Sequence, residues 1–166
     1  MTNLTPAVGW DLDSTLADTM HRQPFIDKIR AGRGTWEDYS LMCADDEPVE
    51  GAIALMQLMR HHSPELEHVV ISGRSRCATA LTWDWLRTHD AAPDLLRLRP
   101  DGDNTPNGEW KVSQIRALAE ERGYEVVLFV EDHPGTARYI REHARIPVLG
   151  VNPFYEIPSP DPSRSL

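Results

Sequence analysis

The chain has 166 residues, with 17 Lys plus Arg against 26 Asp plus Glu and a formal charge of −9. That length predicts one domain with a sizeable core, and the acidity argues against a broad basic face for duplex nucleic acid. No apolar run approaches the ~18 residues of a membrane helix, no basic-then-apolar leader opens the chain, and Cys43 and Cys77 make neither a disulfide framework nor a metal spacing. The expectation is a reduced, cytoplasmic, globular protein with no membrane partner.

Short apolar runs alternate with helical patterns along the chain. Residues 7–11 (AVGWD) read as a strand ending in acid. Residues 18–50 carry eight Asp or Glu against four Lys or Arg, with too few apolar residues for a core of their own. They are expected to form a small cap-like insert over the sheet. In residues 48–60, Val49, Ile53, Met56 and Met59 fall at helical spacing. Residues 68–72 (HVVIS) are a β-branched strand. A second helix over 75–89 places Ala78, Leu81, Thr82 and Trp85 on one stripe, with Cys77 as a small packed residue. Residues 95–98 are a short strand, and 109–122 a helix with Val112, Ile115, Leu118 and Ala119 on one face, stopped by Gly123. Residues 125–130 (EVVLFV) are the strongest strand. A helix over 134–144 opens with proline, and 147–151 is a last strand. The alternation predicts a single α/β domain over 1–155. Its expected form is a three-layer, Rossmann-like parallel sheet of five strands with helices on both faces, followed by a flexible tail over 156–166.

In such sheets ligands bind at the carboxyl ends of the strands. Here those ends carry Asp11-Leu12-Asp13-Ser14-Thr15, Ser72-Gly73-Arg74 and Glu131-Asp132-His133, and Lys111 lies near the start of a helix. Four converging carboxylates repel one another, and a divalent cation resolves the repulsion. Oxygen ligands without a His or Cys partner favour Mg²⁺ over Zn²⁺. A metal beside a carboxylate suits a phosphomonoester: Asp11 can attack phosphorus, and Asp13, two residues on, can move the proton. Ser72, Gly73 and Arg74 are candidates to bind the phosphoryl group, though Arg74 equally suits pairing with an acid. Lys111 is a candidate to offset its charge.

The stretches WDLDSTLAD (10–18), VVISGRS (69–75), Lys111 and FVEDHPGTA (129–137) resemble, in order, the motifs of the haloacid dehalogenase (HAD) superfamily of phosphohydrolases. Within it the chain is most similar to the phosphatase half of phage polynucleotide kinase–phosphatase. The SGR triplet, the TWDWL stretch (82–86) and the polar loop 99–108 carry that similarity. The resemblance implies Asp11 as nucleophile, Asp13 as acid and base, Ser72 as phosphate ligand and Lys111 as charge stabiliser. It also implies Mg²⁺ on Asp11, the Asp13 carbonyl and an acid of the last motif, with Asp132 favoured as the direct ligand and Glu131 acting through water or hydrogen bonds. Ser14 stands where the family usually has glycine, and Glu131 where it often has aspartate.

The expected substrate is a phosphorylated polynucleotide 3′ end or a nucleotide. The alternatives are a sugar or other metabolite monophosphate, or a catalytically silent domain that binds a phospho-ligand. Arg74, Arg76, Arg87, Arg97 and Arg99 outnumber the three Asp between them and form a candidate strand path, with Trp83 or Trp85 available for stacking. There is no glycine-rich nucleotide loop, so no kinase half is expected. Oligomeric state is left open.

Overall fold

The computed structural model describes residues 4–151. The expected tail over 156–166 lies outside the described residues. The strands are β1 (Thr5–Trp10), β2 (Ala17–Asp18), β3 (Glu47–Pro48), β4 (Glu67–Ser75), β5 (Leu95–Arg99), β6 (Tyr124–Glu131) and β7 (Val148–Gly150). The helices are α1 (Gln23–Arg30), α2 (Trp36–Leu41), α3 (Glu50–His62), α4 (Thr79–Thr88), α5 (Asn107–Arg122) and α6 (Pro134–Ala144).

Five strands form one parallel sheet in the order β5-β4-β1-β6-β7. The chain builds outward from β1 to β5, then returns past β1 to β6, so the strand order reverses between β1 and β6. That reversal opens a crevice beyond the end of β1. Alternate residues of each central strand face opposite layers. Val8, Trp10, Val70 and Val130 pack with Ile53, Met56, Trp85 and Leu86 on one face. Ala7, Val69, Ile71 and Phe129 pack with Trp110, Val112, Ile115, Leu118 and Ile140 on the other. Strands buried on both faces read as continuous apolar runs, as 68–72 does; in 125–130 only the second half is covered on both faces, and Glu125 and Val127 are exposed. α5 ends where Gly123 adopts φ 67°, a left-handed conformation that closes the helix.

The insert between β1 and α3 is pinned at its base by β2 and β3, which pair antiparallel. It carries α1 and α2. Ser40 of α2 accepts a hydrogen bond from the Ser75 backbone N–H at 3.0 Å, which lays the insert across the end of β4.

The second helix starts later than the expected residue 75. β4 runs on to Ser75 because its pairing with β5 jumps from Ser72↔Leu98 to Ser75↔Arg99, leaving Gly73 and Arg74 bulged out of register. A bulge of this kind re-aims a side chain at a sheet edge. Cys77, expected to pack, is exposed instead, because in the short turn Arg76–Ala78 the inward position is taken by Ala78.

Candidate active site

The loop after β1 is held by its own backbone. The Leu12 carbonyl accepts from the N–H groups of Leu16 and Ala17, both at 2.9 Å, and the Ser14 N–H donates to Ala17 at 2.7 Å. This turn requires Ser14 at φ 65°, the region glycine occupies without penalty. Its hydroxyl hydrogen-bonds Thr19 at 2.9 Å, which offsets part of the strain. Ser14 therefore adopts the left-handed turn that glycine would take more easily.

At the floor of the crevice Lys111 is fully buried between two carboxylates. Its Nζ lies 2.6 Å from Asp11 Oδ1 and 2.6 Å from Glu131 Oε2. Thr15 Oγ1 donates toward Asp11 Oδ2 at 3.2 Å and lies 3.4 Å from Asp132 Oδ1. The second oxygen of Glu131 accepts from the His133 N–H at 3.1 Å, and His133 in turn caps α6 by accepting from the Thr136 N–H. Both oxygens of Glu131 are thus engaged by nearby groups, while Asp132 is the less committed acid.

One ammonium does not balance this cluster. Burial, then the charges of Glu131 and Asp13, push the Asp11 carboxyl well above the usual carboxylate range, although Lys111 opposes them. Burial, then Asp11 and Glu131, push Asp132 higher still. Burial disfavours the Lys111 ammonium, but Asp11 and Glu131 more than restore it, so it stays charged. Oxygens of Asp11, Glu131 and Asp132 come within 4.8 Å of one another. An all-oxygen, charge-deficient set of this size fits Mg²⁺.

Asp13 has a different environment. Arg74 Nε donates to its Oδ1 at 3.1 Å, Arg74 Nη2 binds the same oxygen, and Arg22 Nη2 reaches it at 2.9 Å. Burial works against its ionisation, yet Arg74 and Arg22 outweigh it and hold the carboxyl at about 2. Asp46 joins the two arginines from below, with Oδ2 at 2.6 Å from Arg22 and 2.8 Å from Arg74. Side chains of Arg22, Arg74 and Asp46 are fully buried. Trp85 Nε1 donates to the Asp46 carbonyl at 2.6 Å, tying the network to α4.

The sequence-derived candidates thus gather at one place, in two groups. Asp11, Lys111, Glu131 and Asp132 form the charge-poor floor, while Asp13 and Arg74 form an ion-pair wall. Arg74 spends its fork on Asp13, Asp46 and Thr82, where it holds an acid. Ser72 is buried and Gly73 exposed, and both line the cavity. A Cβ on Gly73 would sit 2.8 Å from Asn107 Oδ1, so the bare backbone is what lets α5 approach. Sequence reasoning missed Arg22 and Asp46. Each lies in an acidic stretch without a motif, and the two are 24 positions apart, so no local signal marks them.

The expected basic path does not form a continuous track. Arg74 is buried in its ion pairs, Arg97 is tied to Glu121, and Arg87 lies 3.5 Å from Asp84 with its guanidinium over Trp83. Of the five arginines, Arg74 and Arg99 line the cavity. Neither Trp83 nor Trp85 lines it, and Trp85 is buried in the core.

No protein-family model matches the chain, and no curated protein matches it. Solved structures do. The Pnkp1/Rnl/Hen1 RNA repair complex superposes with a TM-score of 0.72 at 21% identity over 92% of this chain and 44% of the matched one. The fold is HAD-like. A class C acid phosphatase from Bacillus anthracis gives a TM-score of 0.60 at 21% identity, covering 93% of this chain and 69% of the other. The HAD domain of the effector Lem4 from Legionella pneumophila gives 0.58 at 12% identity, covering 93% and 89%. This chain spans less than half the length of the chain it matches in the repair complex. Among the described residues, no helix is long and apolar enough to cross a membrane.

Proposed function

We propose that this protein is a Mg²⁺-dependent phosphomonoesterase that works through an aspartyl-phosphate on Asp11, and that its substrates are phosphorylated polynucleotide 3′ ends or nucleotides. The observation that carries the reading is the Asp11 carboxylate, held 2.6 Å from a fully buried Lys111 at the floor of an open cavity. A carboxylate fixed in this way, with the Thr15 hydroxyl on its other oxygen, suits attack on phosphorus.

Mg²⁺, held by Asp11, Asp132 and the Asp13 carbonyl, would supply the positive charge that lets a phosphate approach this acidic floor. The protein's residues do the rest. An Asp11 oxygen attacks phosphorus, and the bond to the ester oxygen breaks. Asp13, which Arg74 and Arg22 hold ionised, must first take up a proton from solvent in the cavity; it gives that proton to the leaving oxygen, then takes a proton from the water that attacks phosphorus and displaces Asp11. Inorganic phosphate leaves and Asp11 is restored. Lys111 keeps Asp11 oriented and offsets charge on the phosphoryl oxygens, while Glu131 holds Lys111. In this reading Ser72, with the Arg74 N–H donating to its hydroxyl, and the bulged Gly73 receive the phosphoryl group.

A polynucleotide end is favoured by the likeness to the RNA repair complex and, among the described residues, by an insert limited to two short helices. A second reading, a small monophosphate, is favoured by one contact. The Gly102 N–H donates to Glu37 Oε1 at 2.9 Å, joining the insert to the loop after β5 across the cavity mouth.

The test is phosphate release with Mg²⁺ from 3′-phosphorylated DNA and RNA oligonucleotides and from nucleoside and sugar monophosphates, beside Asp11→Asn. Preference for oligonucleotides supports end repair, and preference for monophosphates supports the second reading. Asp11→Asn should lower turnover by roughly three or more orders of magnitude with the fold intact, and substantial residual activity would remove Asp11 as nucleophile. No release from any substrate, with Mg²⁺ bound, would leave the phospho-ligand-binding domain.

A further inference from the structure

The cavity has a second wall that phosphate chemistry does not use. Its volume is about 640 Å³. That falls within the roughly 300–1,000 Å³ of small-molecule sites and leaves ample space beyond a phosphate. Asp11, Ser72, Gly73 and Asp132 lie at one part of the lining, while Ile29, Trp36, Tyr39 and Pro100 bring apolar surface to it.

Trp36 stands out. It is 51% exposed, the one aromatic among the large exposed apolar residues described. Leaving that much indole in water is unfavourable, and the surrounding structure fixes it there. Trp36 is the first residue of α2, whose start is locked by a capping box in which Thr35 and Asp38 satisfy each other's backbone N–H groups. Tyr39 packs edge-on against its ring at 5.7 Å, and the Arg22 guanidinium sits 4.4 Å from the Tyr39 ring. An indole held from behind, with one side toward the cavity, is a rigid stacking surface.

Building on the proposed phosphatase activity, we infer that Trp36 is the stacking platform for a nucleobase of the substrate. Every base has a π-face that the indole can cover, whatever its identity. Asn104, Asn107 and Arg99 line the same cavity and offer polar groups to a base edge. The neighbouring acids Glu37 and Asp103 disfavour a long run of phosphates. The platform therefore serves a nucleotide at the end of a strand, or a free nucleotide, and not the interior of a strand.

Trp36→Ala and Trp36→Phe test this on three substrates: a 3′-phosphorylated oligonucleotide, a nucleoside monophosphate and glycerol phosphate. Losing one base stack should cost about 5- to 140-fold. Trp36→Ala should lower the kcat/KM ratio of base-bearing substrate to glycerol phosphate by that factor, through KM, and Trp36→Phe should restore most of it. A loss on the oligonucleotide alone, or on both base-bearing substrates, supports the platform and identifies its source. An unchanged ratio, or equal loss on glycerol phosphate, overturns it. Failure of the activity itself is read separately by titrating Asp11→Asn with a nucleoside monophosphate and following tryptophan fluorescence. Quenching that disappears when Trp36→Phe is added keeps the platform even if no phosphate is released. Absence of quenching removes it.

Discussion

Arg22 and Asp13 form a 2.9 Å ion pair that joins the insert to the loop after β1. Arg22 also binds both oxygens of Asp46 and the Tyr39 carbonyl, so one insert side chain holds an acid of the site, a buried acid and the chain around α2. Removing it leaves Asp46 buried with Arg74 alone among the arginines. Arg22→Ala should destabilise the fold by about 3 kcal/mol, since breaking a buried network costs more than its net contribution. It should also lower kcat by releasing Asp13, and Arg22→Lys should recover stability better than activity, because an ammonium cannot reproduce the fork. Urea unfolding beside steady-state kinetics checks both, and full activity in Arg22→Ala would show that Asp13 does not need the clamp.

Lys111 sits 2.6 Å from both Asp11 and Glu131. Lys111→Ala should remove about 3–4 kcal/mol of transition-state stabilisation, or roughly 100- to 1,000-fold in kcat. Its loss also leaves three acids without a cation, so the variant should bind Mg²⁺ more tightly even as it turns over slowly. Calorimetric titration of Mg²⁺ beside kcat separates these effects. Weaker Mg²⁺ binding would count against the charge argument.

Burial and mutual repulsion raise the carboxyl groups of Asp11 and Asp132. A group whose folded pKa lies above its unfolded value destabilises the fold once it is ionised, so the strain grows as pH rises. Mg²⁺ needs the ionised form and relieves the strain. At about 100 times its Kd, Mg²⁺ should stabilise the fold by about 2.7 kcal/mol. That corresponds to about 5–11 °C in Tm for a chain of this size. The gain should shrink between about pH 7.5 and pH 5, where protons compete for the same oxygens. Thermal melts with MgCl₂ and with EDTA at the two pH values check it, and an equal gain at both would refute the assignment.

Asp13 shows the opposite sign. Its folded carboxyl lies at about 2 against 3.8 unfolded. The stability it confers is complete above about 3.8 and is lost as pH falls through about 2. The difference corresponds to about 2 kcal/mol. Urea unfolding across that window should show a steeper loss for the wild type than for Asp13→Asn, and equal slopes would show that the two arginines do not hold Asp13 charged.

The sequence by itself determined the layers and most of the acids. Central strands read as apolar runs, and helices between them carry one apolar stripe, so 68–72 and 125–130 are legible with the helices flanking them. The carboxylates follow strand ends, and in a parallel sheet all such ends share one edge, so the sequence alone brings Asp11, Asp13, Glu131 and Asp132 together. What the tertiary structure decided was pairing across the chain. Arg22 meets Asp13 and Asp46 only because β2 and β3 fold the insert back, and Arg74 turns to Asp13 only because two residues bulge at the end of β4. Trp36 faces the cavity, and Trp85 the core, for the same reason. Periodicity records which side of its own element a residue occupies, whereas these contacts join residues up to 61 positions apart and leave no local pattern.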